Sequence, residues 1–212
     1  MDRQALTAKE LPVLYALVRE LAASEALRAF AASLPATAAR ASEPALPLVV
    51  ASLHFHLARG LSVLVPEDGD ARDLAEAVGW LVGEEAVAFL PSRGVRPGSG
   101  LEPPPHLVGE RARALDVLAA GGIVCVSASA LAQGVPPAWA RPERIDIRLG
   151  EEPGLDGLAE GLALAGYERV ERVEARGQFA VRGGIVDVYP TTGRDPVRIE
   201  LFGDQVEGMR AF

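Results

Sequence analysis

Gln178-Phe179-Ala180-Val181-Arg182-Gly183-Gly184-Ile185-Val186-Asp187-Val188-Tyr189 reads as two short strands joined by a Gly-Gly turn. Two further runs, Val197 to Phe202 and Gln205 to Phe212, have the same character, and Gly203-Asp204 between them is a second hairpin signal. Pro190-Thr191-Thr192-Gly193-Arg194-Asp195-Pro196 separates the two pairs. Upstream, Leu155 to Ala165 carries apolar residues at helical spacing and stops at Gly166, while Ile145 to Leu149 alternates like a half-exposed strand. Residues 138–212 are therefore predicted to form a small α+β domain, one helix against an antiparallel sheet.

The pattern before Pro136-Pro137 is different. Helical periodicity runs through Leu11, Leu14, Leu17 and Leu21 after a capping-box sequence, Thr7-Ala8-Lys9-Glu10. A second helix is predicted from Ser24 to about Ser33, and a third from Leu48 to Arg59 with Gly60 as its stop. Leu61–Val65, Ala86–Leu90 and Ile123–Ser127 are short and apolar but for Ser62 and Ser127. Two helices alternate with them, one capped at Gly69-Asp70 and one over Val108–Ala119. Short apolar strands alternating with helices predict a parallel sheet covered on both faces, so residues 1–137 read as one α/β domain.

Composition narrows the chemistry. The chain has 212 residues, 49% of them hydrophobic, and a formal charge of -8, which disfavours a surface built to neutralise phosphates. Cys125 is the only cysteine, so neither an internal disulfide nor a multi-cysteine metal site is expected. No apolar run is long enough to span a bilayer and no signal-peptide core is present near Met1, so a cytoplasmic protein with no membrane partner is predicted.

Catalytic motifs are missing where they would be sought. A P-loop needs a lysine after a glycine-rich turn, and the only lysine is Lys9, with Glu10 after it. The Leu34–Pro47 stretch before the third helix has neither Gly nor Lys. His54 and His56, two apart on a helix, point to different sides, and packing or surface histidines are the preferred reading over metal ligation. His106 has no evident base or nucleophile beside it. Ser127 and Ser129 follow a strand without the glycines of a nucleophile elbow, and helix capping is preferred for them. The expectation is no catalytic residue, no metal and no cofactor.

Arginine is the remaining signal. Arg169, Arg172, Arg176 and Arg182 fall within fourteen positions of an acidic chain, near Tyr167, Phe179 and Tyr189. Arginines with aromatics are typical interface anchors. Glu168, Glu171 and Glu174 interleave with them, so residue chemistry leaves a partner surface and a solvated charged face equally open.

One resemblance bears on that choice. Gly166-Tyr167-Glu168-Arg169-Val170, the run from Arg176 to Pro190, and Pro196-Val197-Arg198-Ile199-Glu200-Leu201-Phe202-Gly203-Asp204 together resemble the N-terminal region of the bacterial transcription-repair coupling factors. A weaker likeness reaches back through Val124–Leu131, Val108–Arg111 and Phe89–Pro91 to about residue 45. The resemblance implies a degenerate RecA-like domain without a Walker motif, followed by a small domain similar to the part of UvrB that docks on UvrA. It implies UvrA as partner, met by Arg169 and Arg182, with Arg176 and Phe179 as further candidates. Ala180 stands where UvrB has another arginine. In the full-length family it also implies RNA polymerase and double-stranded DNA as partners, an ATP-driven translocase further along, and masking of the docking surface by the C-terminal region. The alternative is a UvrB-like ATP-dependent repair helicase domain, against which the missing lysine argues.

Overall fold

A computed structural model describes residues 14–35, 37–96, 98–141 and 144–212. The capping box expected at Thr7–Glu10 lies outside them. These fall into two compact units: the described residues up to 99 with those of 110–134, and the described residues of 100–109 with those of 135–212.

In the first unit, helices α1 (Tyr15–Ala23) and α2 (Glu25–Ala32) are separated by Ser24, whose hydroxyl accepts the Leu27 N–H at 3.3 Å and so caps α2. Helix α3 (Leu46–Leu57) ends on Ala58, which takes a left-handed conformation at φ 53°. The predicted stop at Gly60 is thus corrected. Gly60 instead lies where the chain passes the Gly121–Gly122 backbone, and a side chain there would sit about 3.3 Å from it.

Strands β1 (Leu61–Val65), β2 (Val87–Leu90) and β3 (Ile123–Ser127) form a parallel sheet in the order β1-β3-β2. Every residue of the central strand β3 is buried, because helices cover both of its faces. On one side Ile123 and Cys125 meet Val50 of α3 with Leu74, Ala75 and Val78 of α4 (Asp68–Val82). On the other, Val124 and Val126 meet Ala114 and Val117 of α5 (Pro105–Ala119) and Ala130 of α6 (Ala128–Ala132). The expected α/β architecture is what the structure shows. Helix α4 starts one turn earlier than the sequence suggests: Glu67 is its N-cap, and Asp70 accepts the Glu67 N–H at 3.2 Å.

In the second unit, α7 (Leu155–Leu164) lies against a five-stranded sheet in sequence order, β4 (Glu168–Arg169), β5 (Gln178–Arg182), β6 (Ile185–Val188), β7 (Val197–Phe202) and β8 (Gln205–Ala211). The last four strands are antiparallel, but β4 pairs parallel to β5, so the sheet is mixed rather than purely antiparallel. Strand alternation sorts the side chains. Phe179, Val186, Val188, Ile199 and Val206 face Leu158 and Leu162 of α7 in one apolar core. The opposite face carries two cross-strand rows, Ala180–Asp187–Arg198–Arg210 and Arg182–Ile185–Glu200–Gly208.

The strand expected at Ile145–Leu149 does not form. Its alternation is real, since Ile145 and Ile147 pack on the α7 core. The segment pairs with the sheet only where it ends: Gly150 N–H donates to Val206 O at 2.9 Å, and Val206 N–H to Glu151 O at 2.9 Å.

At the β5–β6 turn, Gly183 has φ 60°, a conformation that costs residues with a Cβ. Gly184 serves a different need: a Cβ on it would lie 2.7 Å from Leu201 O, on the strand that bonds its carbonyl.

Candidate partner-docking surface

Arg169 and Arg182 are both exposed, and both lie at the β4–β5 margin of the second unit. The register separates them, however. Arg169 aligns with Phe179, on the helix-covered side, and Arg182 alternates with Ala180, on the open side. Only a partner that grips the margin itself touches both. Among the described residues, Arg169 makes no side-chain hydrogen bond or ion pair. Arg182 donates one N–H to the Glu171 carbonyl and keeps its other donors for solvent or a partner.

The other two candidates have internal roles. Phe179 is 1% exposed, in the centre of the α7 core, so it is removed from the list of partner contacts. Arg176 is half-buried: it donates to the Thr191 and Gly193 carbonyls, and its guanidinium lies over the Tyr189 ring, 5.2 Å from the centroid. It fastens the Pro190–Pro196 connection, so at least part of its guanidinium is spent inside the unit. The neighbouring aromatics are tied down as well. Tyr167 Oη accepts the Thr191 N–H at 3.2 Å, and Tyr189 O–H donates to Arg194 O at 3.3 Å.

Sequence reasoning missed the centre of the open face. Asp187 and Arg198 form a bidentate pair, Nε to Oδ1 at 2.7 Å and Nη2 to Oδ2 at 2.8 Å. Arg198 also lies over the Phe212 ring at 5.2 Å, and Arg210 pairs with Glu200 at 2.8 Å. Phe202, at the β7–β8 turn, is 77% exposed. These pairs are set by cross-strand register. A one-residue slip would put each partner on opposite faces, so spacing along the chain does not reveal them.

Polar groups in the first unit gather at the carboxyl ends of its strands. Asp68 accepts from Ser92 N–H at 2.9 Å, from Ser92 O–H at 2.6 Å and from Ser127 O–H. Ser127 in turn accepts the Ala130 N–H at 3.0 Å and caps α6, as expected for it. Burial pushes the Asp68 carboxyl up, but the Ser127 and Ser92 hydroxyls, the Ser92 N–H and the Arg72 charge together hold it below its ordinary value. A carboxylate so depressed stabilises the fold above its unfolded pKa and loses that contribution as pH falls through the folded value. The stability difference between the native chain and Asp68→Asn is expected to be constant above about pH 5 and to shrink below about pH 4. Urea melts across that range check it, and a pH-independent difference would remove the carboxylate from this role. The three donors converge on a side chain of the protein itself, which is a structural arrangement.

His54 Nδ1 lies 3.0 Å from Arg59 O at the end of α3. Among the described residues no group of three or more His, Cys, Asp and Glu is placed to hold a metal ion, and no helix is long and apolar enough to cross a membrane.

The geometry offers exposed guanidinium groups, those of Arg169 and Arg182, at the margin of the sheet. The family model described as the UvrB interaction domain matches residues 145–212, the part containing the whole five-stranded sheet. The transcription-repair-coupling factors of Mycobacterium bovis and Mycobacterium tuberculosis are each 37% identical to this chain over 161 residues, 72% of this chain and 13% of theirs. That of Bacillus subtilis is 39% identical over 109 residues, 48% of this chain and 9% of its own length. The chain thus spans about an eighth or less of these relatives. It is a relative of the N-terminal region of the bacterial transcription-repair-coupling factors, with a UvrB interaction domain at residues 145–212.

Proposed function

We propose that this chain is a non-catalytic adaptor that binds UvrA through the β4–β5 margin of its second unit. The observation that carries the reading is the placement of Arg169 and Arg182, exposed on that margin inside the region matched by the UvrB interaction domain. Guanidinium groups carried on a sheet margin, with N–H groups to donate bidentately to carboxylates, suit an acidic partner surface. In a longer protein of this family the adaptor would bring UvrA, and with it excision repair, to a stalled RNA polymerase. Motor activity and the double-stranded DNA and RNA polymerase contacts would then belong to other parts of that protein. The leading arginine candidates for the contact are Arg169 and Arg182, with Arg176 partly engaged within the unit and Phe179 buried in its core.

Arg182→Ala in the whole chain is expected to weaken UvrA binding by about 1–3 kcal/mol, as for loss of a charged interface contact. Titration calorimetry with purified UvrA measures this, and circular dichroism verifies the fold. The native chain failing to bind UvrA would defeat the proposal. Full affinity in an Arg169→Ala/Arg182→Ala double variant would move the surface elsewhere.

A further inference from the structure

We propose that the segment Glu171–Ala175 is a preorganised part of the same docking surface, and that Arg172 is the side chain it presents to the partner. This rests on the docking reading above and adds a specificity-determining residue to it.

The starting observation is Ala180. By register it belongs to the open face of the sheet, in line with Asp187 and Arg198, yet it is only 3% exposed. Its two neighbours on that face, Gln178 and Arg182, both reach to one segment. Gln178 Oε1 accepts the N–H groups of Glu174, at 3.1 Å, and Ala175, at 3.0 Å. Arg182 donates to the carbonyl of Glu171. Residues four apart on a strand stand about 13 Å from each other. The segment is therefore tied at both ends across the length of β5, alongside Ala180. Gln178 is itself steadied, since its Nε2–H donates to Glu168 Oε2 at 3.1 Å.

A connection held this way loses little further freedom when a partner binds. Arg172, next to the Arg182-bound carbonyl, is exposed and has no side-chain hydrogen bond or ion pair among the described residues. Arg172 lies on the backbone between the two anchored ends of this segment, at Glu171 and at Glu174–Ala175. Glu171 and Glu174 are on the same segment, so this is one placed cation rather than a basic patch. The ligand it fits is a carboxylate on the acidic surface that also meets Arg182.

Gln178 is on this view a positioning residue that acts through Arg172. The test is a double-mutant cycle in the whole chain, with affinity for purified UvrA as the readout. Arg172→Ala is expected to weaken binding roughly tenfold, the usual range for a charged interface contact. Gln178→Ala is expected to weaken it by a smaller factor, and the double variant is expected to bind no worse than Arg172→Ala alone. A merely structural role for Gln178 would make the two losses multiply, and would overturn the positioning role. Native affinity in both single variants would overturn the whole inference while leaving the docking reading intact. If the unsubstituted chain does not bind UvrA, both fall together.

Discussion

Phe179→Ala is expected to destabilise the second unit by about 3–5 kcal/mol, the range for emptying a buried phenylalanine site. Phe179 lies opposite Val188 across the β5–β6 ladder and packs with Val186, Ile199 and Val206 under Leu158 and Leu162 of α7. Among the described residues it is the largest fully buried side chain, so its truncation removes the most volume from a close-packed site. On its other side β5 has a ladder with only the two residues of β4, and the contacts beyond them are hydrogen bonds to the Val170–Ala175 segment rather than apolar core. The measurement is amide hydrogen exchange on β5, β6 and β7. Those amides should exchange faster by the factor that corresponds to the stability loss, roughly a hundredfold or more. UvrA affinity separates the core role from the partner role. A core residue weakens binding only in proportion to the fraction unfolded. A contact residue weakens binding while exchange stays native, and that second outcome would return Phe179 to the docking surface.

This division of labour was partly legible in the sequence. Alternation in Gln178–Arg182, Ile185–Val188 and Val197–Phe202 located three strands, because side chains on a half-buried strand must alternate between core and solvent. The same rule misled at Ile145–Leu149. Ile145 and Ile147 do face the core, but alternation reports which way side chains point and not whether the backbone has a ladder partner. Strand β4 carried no pattern at all, since two residues cannot establish a period. The arginines show the same limit. Arg169, Arg172, Arg176 and Arg182 are alike as sequence symbols, yet one stacks on Tyr189, one ties down Glu171 and two are exposed with no partner among the described residues. That difference depends on which carbonyls the folded chain brings near each guanidinium. The pairing of Arg198 with Asp187 was hidden for the same reason, because the two residues meet only through the β6–β7 register.

Gly122→Ala should produce the largest single-methyl effect in the first unit. The residue joins the end of α5 to β3, and its neighbours are backbone on both sides. Its N–H donates to Val117 O at 2.8 Å, and its carbonyl accepts the Leu61 N–H at 3.1 Å. An added Cβ would fall 2.6 Å from Ala86 O, 2.6 Å from Val117 Cγ1 and 3.0 Å from Val117 O. The Val117 methyl can rotate away, but the two carbonyls belong to the approach to β2 and to the last turn of α5. Relief therefore requires the start of β3 to move out of its place between the sheet neighbours, at a cost of about 1–3 kcal/mol or somewhat more. Cys125, two residues beyond Ile123 on the same strand, reports the change. It is fully buried, and burial pushes its thiol up to about 12, so at pH 8 it reacts with a thiol reagent only through open forms. When opening and closing are fast, the labelling rate follows the open population, and a loss of roughly 2 kcal/mol speeds it roughly thirtyfold. Gly69→Ala in α4 is the control, because a Cβ there meets nothing within 4 Å and alanine suits a helix. Equal labelling rates in Gly122→Ala and the native chain would show that the junction of α5 and β3 yields without opening the sheet.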